Sequence, residues 1–130
     1  MEVDLEILRE KEVAFDRWKD ALDLFSIRNR GRTVRIEVKE PGQRDYRVEV
    51  AGTVLQGVAV SDDDDAMRTA SFFLGQNPAQ HARHTVSGVK QVLILSNDKG
   101  SEQGIELLSG DNNWTRLIVM VPPLRKKPRR

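Results

Sequence analysis

The spacing of apolar residues changes at Gly31, and this change constrains the fold more than any other feature of the chain. Before it, Leu8, Phe15, Trp18, Leu22 and Phe25 recur at intervals of seven, three, four and three, which sets them on one stripe of a helix. After it, Thr33-Val34-Arg35-Ile36-Glu37-Val38-Lys39 alternates apolar with charged residues, the pattern of a half-buried strand. The spacing predicts a helix from residue 3 to about residue 28. Asp4, Glu6, Glu10 and Glu12 crowd its start and Arg28 and Arg30 its end, a polarity that suits the helix macrodipole. Gly31 is its expected stop.

Tyr46-Arg47-Val48-Glu49-Val50 repeats the alternation after a Pro41-Gly42 turn, so the two segments are expected to pair antiparallel. Gly52 and Gly57 interrupt the run that continues to Val60 and mark a bulge or sharp bend. Asp62 to Asp65 read as a solvated loop, Ser71 to Leu74 as a short strand, and Asn77-Pro78 as the start of one helical turn. Val89 to Leu95, Ile105 to Leu108 and Trp114 to Val121 complete about six strands. The first and last of these three are apolar on both faces and need cover on both sides. The expected fold is therefore α+β: an N-terminal amphipathic helix packed on a bent, mostly antiparallel sheet of about six strands, with a half-open small barrel as its most curved form. Trp18, Leu22, Phe25, Val34, Ile36, Val48, Val50, Leu93, Leu95, Leu107, Leu117 and Val119 are expected to be buried.

At 130 residues the chain can build one real core and not comfortably two. Residues 1–122 read as one helix-plus-sheet domain, closed by Pro122-Pro123, and 123–130 as a disordered basic tail. Arg125, Lys126, Lys127, Arg129 and Arg130 carry five positive charges; removing them from the formal +1 leaves residues 1–124 at −4. The basic character thus belongs to the tail. There is no cysteine, which excludes disulfide scaffolds, thiol catalysis and cysteine-ligated metal sites. No stretch approaches the ~18 apolar residues of a membrane span, so no membrane partner is expected. The acidic start lacks the marks of a signal peptide, and a cytoplasmic address is the expectation.

The sequence offers no constellation for catalysis. Gly-x-Ser-x-Gly and the glycine-rich phosphate loops are absent. Asp62 to Asp65 lack the spacing of a calcium loop. His81 and His84 would share a face if helical, yet a metal would need a third ligand. Asp20 and Asp23, and Glu37 and Glu49, alternate with cations and read as salt-bridged faces. Trp18 belongs to the apolar stripe, while Trp114 follows an Asn-Asn turn and suits a contact surface. No catalytic, metal-binding or cofactor-binding residue is assigned and no cofactor is expected. The candidate contact residues are Trp114, Arg28, Arg30, Arg32, Arg125, Lys126, Lys127, Arg129 and Arg130. The leading expectation is a non-catalytic interaction or assembly module with a protein partner. The alternatives are a weak nucleic-acid binder using the basic tail, and a metal- or histidine-dependent enzyme. A homodimer is expected if Phe72, Phe73, Ile118 and Met120 form an apolar patch, or through unpaired strand edges.

From Trp18 to Val121 the order of features resembles a bacterial family known as domain of unknown function 5335. The likeness runs through Trp18 and Phe25, Arg30-Gly31-Arg32, Val34 to Val38, Leu55-Gln56-Gly57-Val58, His84-Thr85-Val86, Ile105-Glu106-Leu107 with Ser109, and Thr115-Arg116-Leu117. Val54 and Gly88 stand where that family tends to have prolines. The resemblance implies a domain type and transfers no activity. A weaker likeness, Val48-x-Val50-x-Gly52 followed by Gly57 and the aspartates, is to the first motif of Sm-like RNA-binding barrels.

Overall fold

The apolar stripe folds as a short 3-10 turn, Phe15–Arg17, running into helix α1, Trp18–Asn29. Its buried face is Trp18, Leu22, Phe25, Ser26 and Asn29, and Trp18 Nε1 donates to the carbonyl of Val13 at 3.0 Å. The helix stops where expected: Gly31 has φ +89 and its N–H donates to Leu55 O at 2.8 Å, a left-handed turn that glycine adopts without penalty. The computed structural model describes residues 9–64, 67–76 and 81–120. The basic tail, the domain boundary at 122, the Asn77-Pro78 helical turn and Leu8 lie outside them.

The helix does not begin near residue 3. Arg9–Glu12 form strand β1, and the helix follows it. The remaining strands are β2 (Thr33–Lys39), β3 (Arg47–Asp64), β4 (Met67–Gly75), β5 (His81–Val86), β6 (Val89–Ser96), β7 (Glu102–Ser109) and β8 (Trp114–Val119). The sheet therefore has eight strands rather than six, in the order β1-β6-β7-β8-β2-β3-β4-β5, and every pairing is antiparallel. The two strands missing from the sequence reading are its two edges.

The long strand β3 bends the sheet. Its register against β2 slips twice and against β4 once near Gly57, as the glycines predict, because each slip is an extra residue that twists the strand. As a result β4 and β6 come into contact although four strands lie between them in the sheet. Helix α1 lies on β3. Ser26 Oγ fastens the two together: it accepts from the Val58 N–H at 2.8 Å while its proton faces Leu22 O at 2.9 Å.

The core joins Trp18, Leu22 and Phe25 to Val34, Ile36, Leu55, Val58, Phe72, Leu74, Val92, Ile105, Leu107 and Leu117. Ten of the twelve residues expected to be buried are so; Val50 is half-buried and Val48 is 50% exposed. A bulge explains Val48. Ile36 faces Val50 but Glu37 faces Val48, so the extra residue, Glu49, turns Val48 off the core side. The apolar patch expected for a homodimer does not form. Phe72 is fully buried in the core, and Ile118 is buried outside that core cluster. Asp62 to Asp64 continue the backbone of β3 rather than forming a loop.

Candidate functional site

An open cleft of about 700 Å³ lies where the end of α1 meets the β6–β7 hairpin, lined by Arg28, Asn29, Arg32, Asn97, Gly100, Ser101, Glu102, Gln103 and Val119. Its size is ordinary for a ligand site. Sequence builds both walls locally. On the hairpin side, Asn97 Oδ1 accepts from the N–H groups of Lys99 and Ser101 at 2.9 and 3.0 Å, and the Gly100 N–H donates to Asn97 O at 3.0 Å. Gly100, at φ +85, makes this tight turn possible. These three amides are occupied within the turn and are not free to meet a ligand.

On the helix side, Arg28 Nη1 pairs with Glu102 Oε2 at 2.8 Å. Asn29 Nδ2 donates to Phe25 O at 3.0 Å and reaches Glu102 Oε1 at 3.4 Å. Arg32 is exposed, and its guanidinium has no hydrogen bond or ion pair to another described residue. The cleft thus carries two cations against one carboxylate, with Gln103 and Ser101 as neutral hydrogen-bonding groups. Its lining therefore carries a net positive charge. Arg28 and Arg32 were legible as contact residues; Asn29, Asn97, Glu102 and Gln103 were not, because the hairpin's sequence signals only a turn.

The other expected contact residues lie elsewhere. Arg30 turns away, donating from Nε to Gln56 O at 3.1 Å. Trp114, half-buried, stands at the far end of β8 from Val119, about 17 Å away at the rise of a strand. Arg125, Lys126, Lys127, Arg129 and Arg130 lie outside the described residues.

A second polar cluster sits on the face of the sheet away from the main core. The registers of β6, β7, β8 and β2 set Leu93, Glu106, Arg116 and Glu37 side by side. Glu106 is 4% exposed; it accepts from Arg116 Nη2 at 3.2 Å and from the Tyr46 hydroxyl. The Arg116 guanidinium also lies 3.9 Å from the Tyr46 ring centre, and Lys39 Nζ lies 5.3 Å from it. Glu37 pairs with Arg35 at 2.7 Å and approaches Arg116 at 4.0 Å. Burial first, then the Glu106 carboxylate, raises the Tyr46 hydroxyl well above the ordinary phenol range, so it stays protonated. At the sheet edge, burial and then Glu106 raise the Glu10 carboxyl. This network pins the β2–β3 hairpin over the sheet. The sequence hint was a charge between apolar neighbours in both Ile105-Glu106-Leu107 and Thr115-Arg116-Leu117.

The histidines do not share a face. They stand three apart on strand β5, and alternation sends such residues to opposite sides. Among the described residues no group of three His, Asp or Glu side chains is placed to hold a metal ion. His84 stacks against Phe72, with ring centres 6.1 Å apart and planes 16° apart. Its half-burial lowers its pKa from the ordinary 6.5, opposed by the Glu49 carboxylate. The unfolded chain therefore takes up the proton more readily. The stability His84 contributes is present above pH 6.5 and lost as pH falls below it. Urea midpoints measured at pH 7.5 and pH 5 are expected to separate in the natural protein and to draw together in His84→Gln; an unchanged separation contradicts this.

Among the described residues no helix is long and apolar enough to cross a membrane. Compared with protein families, curated proteins and solved structures, the chain matches none. The likenesses to domain of unknown function 5335 and to Sm-like barrels rest on the order of residues alone.

Proposed function

We propose that this chain is a non-catalytic binding module whose ligand site is the cleft between α1 and the β6–β7 hairpin. One observation carries the reading. The cleft holds groups that bind, but its single carboxylate, Glu102, is already taken up by Arg28 and Asn29. Ser101 is the one hydroxyl lining it, and no histidine lines it to activate that hydroxyl. The buried Glu106–Arg116–Tyr46 network fits a structural role, since the Glu106 carboxylate accepts from both the Arg116 guanidinium and the Tyr46 hydroxyl. A cytoplasmic setting, a half-open barrel form of the sheet and membership of the 5335 domain type belong to the same reading.

The test compares the immobilised protein with Arg28→Glu/Arg32→Glu in native lysate. A component retained by the natural chain and lost by the variant supports the reading. Identical retention by both, or a turnover that disappears in His81→Ala/His84→Ala, contradicts it. A homodimer keeps one support, the edge strand β5, which among the described residues has no neighbour on its outer side in the sheet. Unpaired backbone groups there favour strand addition. The other edge, Arg9-Glu10-Lys11-Glu12, is charged at every position and so discourages pairing. A monomeric mass at concentrations above those in cells would remove the homodimer.

A further inference from the structure

We propose that the cleft binds a small, hydroxyl-bearing phosphate monoester, its phosphate held between the guanidinium groups of Arg28 and Arg32. This rests on the binding-module reading and names the chemical class of its ligand. The charge of the lining comes first. Arg28 and Arg32 stand against one carboxylate, Glu102, and no histidine or lysine lines the cleft. Glu102 is already engaged by Arg28 Nη1 at 2.8 Å and by Asn29 Nδ2 at 3.4 Å. That pairing holds the Arg28 side chain in place and leaves its other N–H groups for a ligand. The Arg32 guanidinium makes no hydrogen bond or ion pair with another described residue, so among those residues its donors are unspent.

The backbone brings the two arginines together. Arg28 stands in the last turn of α1, and Gly31, at φ +89, turns the chain so that Arg32 lines the same cleft. The main chain of Arg32 is fixed on both sides: its N–H donates to Asn29 O at 3.1 Å and its carbonyl accepts from the Leu55 N–H at 2.9 Å. The C-terminus of a helix carries negative partial charge, which opposes an anion. Here the Ser26 and Asn29 carbonyls each accept a backbone N–H. The macrodipole amounts to about half an elementary charge, less than the net positive charge of the lining.

Donor geometry selects phosphate over carboxylate. Each guanidinium is a planar fork that pairs parallel N–H groups with the oxygens of one anion. A carboxylate is filled by one such fork. A phosphate monoester has three terminal oxygens and, at neutral pH, nearly two negative charges, so it can accept from both arginines at once. The cleft, at about 700 Å³, is far larger than a phosphate group, and its remaining space receives the organic part. Asn97, Ser101 and Gln103 make that lining polar, and it contains no aromatic residue, which suits hydroxyl groups rather than a flat ring.

The test measures dissociation constants from backbone amide shifts of the full chain, at fixed ionic strength, for glycerol phosphate, inorganic phosphate and glycerate, a hydroxylated carboxylate. Glycerol phosphate should bind more tightly than inorganic phosphate, and about tenfold more tightly than glycerate, the worth of one further charge-assisted bond. Arg32→Gln, an exposed change that removes no described side-chain contact, should weaken glycerol phosphate about tenfold for the same reason. Arg30→Gln removes the same charge from an arginine turned toward Gln56 O and should leave the affinity nearly unchanged. Equal losses in the two variants would mean that bulk charge alone attracts the ligand, and would overturn the proposal. Glycerate binding as tightly as glycerol phosphate would make this a carboxylate site, and inorganic phosphate binding as tightly would make it a site for the free ion; either overturns it. If neither phosphate compound binds while a lysate component still depends on Arg28 and Arg32, the phosphate assignment falls and the binding module stands. If that lysate component is also retained by Arg28→Glu/Arg32→Glu, both fall.

Discussion

Gly104→Ala is expected to destabilise the protein by about 3 kcal/mol, among the largest effects of any single substitution. Gly104 lies in β7 opposite Ile118 of β8. A Cβ built there would stand 2.2 Å from Leu117 O and 3.3 Å from the Ile118 Cα. Both atoms are backbone, so no side chain can swing aside to make room. The strands would have to separate in the middle of the sheet, between Leu107 and Leu117, which are fully buried. For a chain of this length the loss corresponds to a fall in Tm of about 10 °C. The requirement is steric rather than conformational, because Gly104 is not among the positive-φ glycines. Gly52→Ala is the contrast: its Cβ would meet only the Thr33 methyl at 3.9 Å, and its midpoint should move far less. Equal thermal midpoints for Gly104→Ala and the natural protein would contradict the close approach of β7 to β8.

Glu106→Ala should be comparably damaging, at about 3 kcal/mol. Deleting the carboxylate would leave Arg116, whose side chain is 21% exposed, with Glu37 at 4.0 Å as its one remaining ion pair, beside the Tyr46 ring. It would also leave the Tyr46 hydroxyl without its acceptor. A poorly compensated cation and an orphaned donor together cost more than the net value of the bonds they made. Chemical denaturation measures the loss. The exposed Lys19–Asp23 pair at 3.1 Å, with side chains 77% and 52% exposed, is the control; Lys19→Ala should leave the midpoint almost unmoved. The result also separates two roles. A structural network predicts that Glu106→Ala lowers stability, whereas a catalytic carboxylate held at a strained site would predict no loss or a gain.

The parts of the fold with strong apolar periodicity were legible in the sequence. Trp18, Leu22 and Phe25 give α1, Val34 and Ile36 give β2, and the glycines at 52 and 57 give the bends of β3. What escaped has a common cause. Strand β1 is Arg-Glu-Lys-Glu and β5 is His-Ala-Arg-His-Thr-Val; edge strands bury little and so carry little alternation. Backbone pairing with β6 and β4 fixes them instead. Glu10 and Glu12 were read as helix-starting acids because β1 has no apolar signal of its own. Val48 escaped for a different reason. A bulge at Glu49 changes which side of the sheet its neighbours face, and a single residue of slip inverts every inference drawn from alternation.

The candidate site was legible only in part. Arg28 and Arg32 stood out as cations at a helix end, yet Arg30, which lies between them, turns to the Gln56 carbonyl. Trp114 is likewise separated from the cleft by the length of β8. A run of three alternating arginines cannot reveal which of them a distant hairpin will meet. Glu102 and Gln103 enter the site because β6 and β7 return the chain to the end of α1, a contact more than seventy residues long in sequence.

The claim that the cleft, with Arg28 and Arg32 against the single carboxylate of Glu102, is where this chain meets its ligand is tested most directly by backbone NMR during titration with inorganic phosphate. The account predicts shifts in the amides of Asn29, Arg32, Ser101 and Gln103, with those of β5 and of Tyr46, Glu106 and Arg116 left in place. Shifts confined to β5, or to the Tyr46–Glu106–Arg116 face, would contradict it, as would a titration that moves no amide of the folded domain.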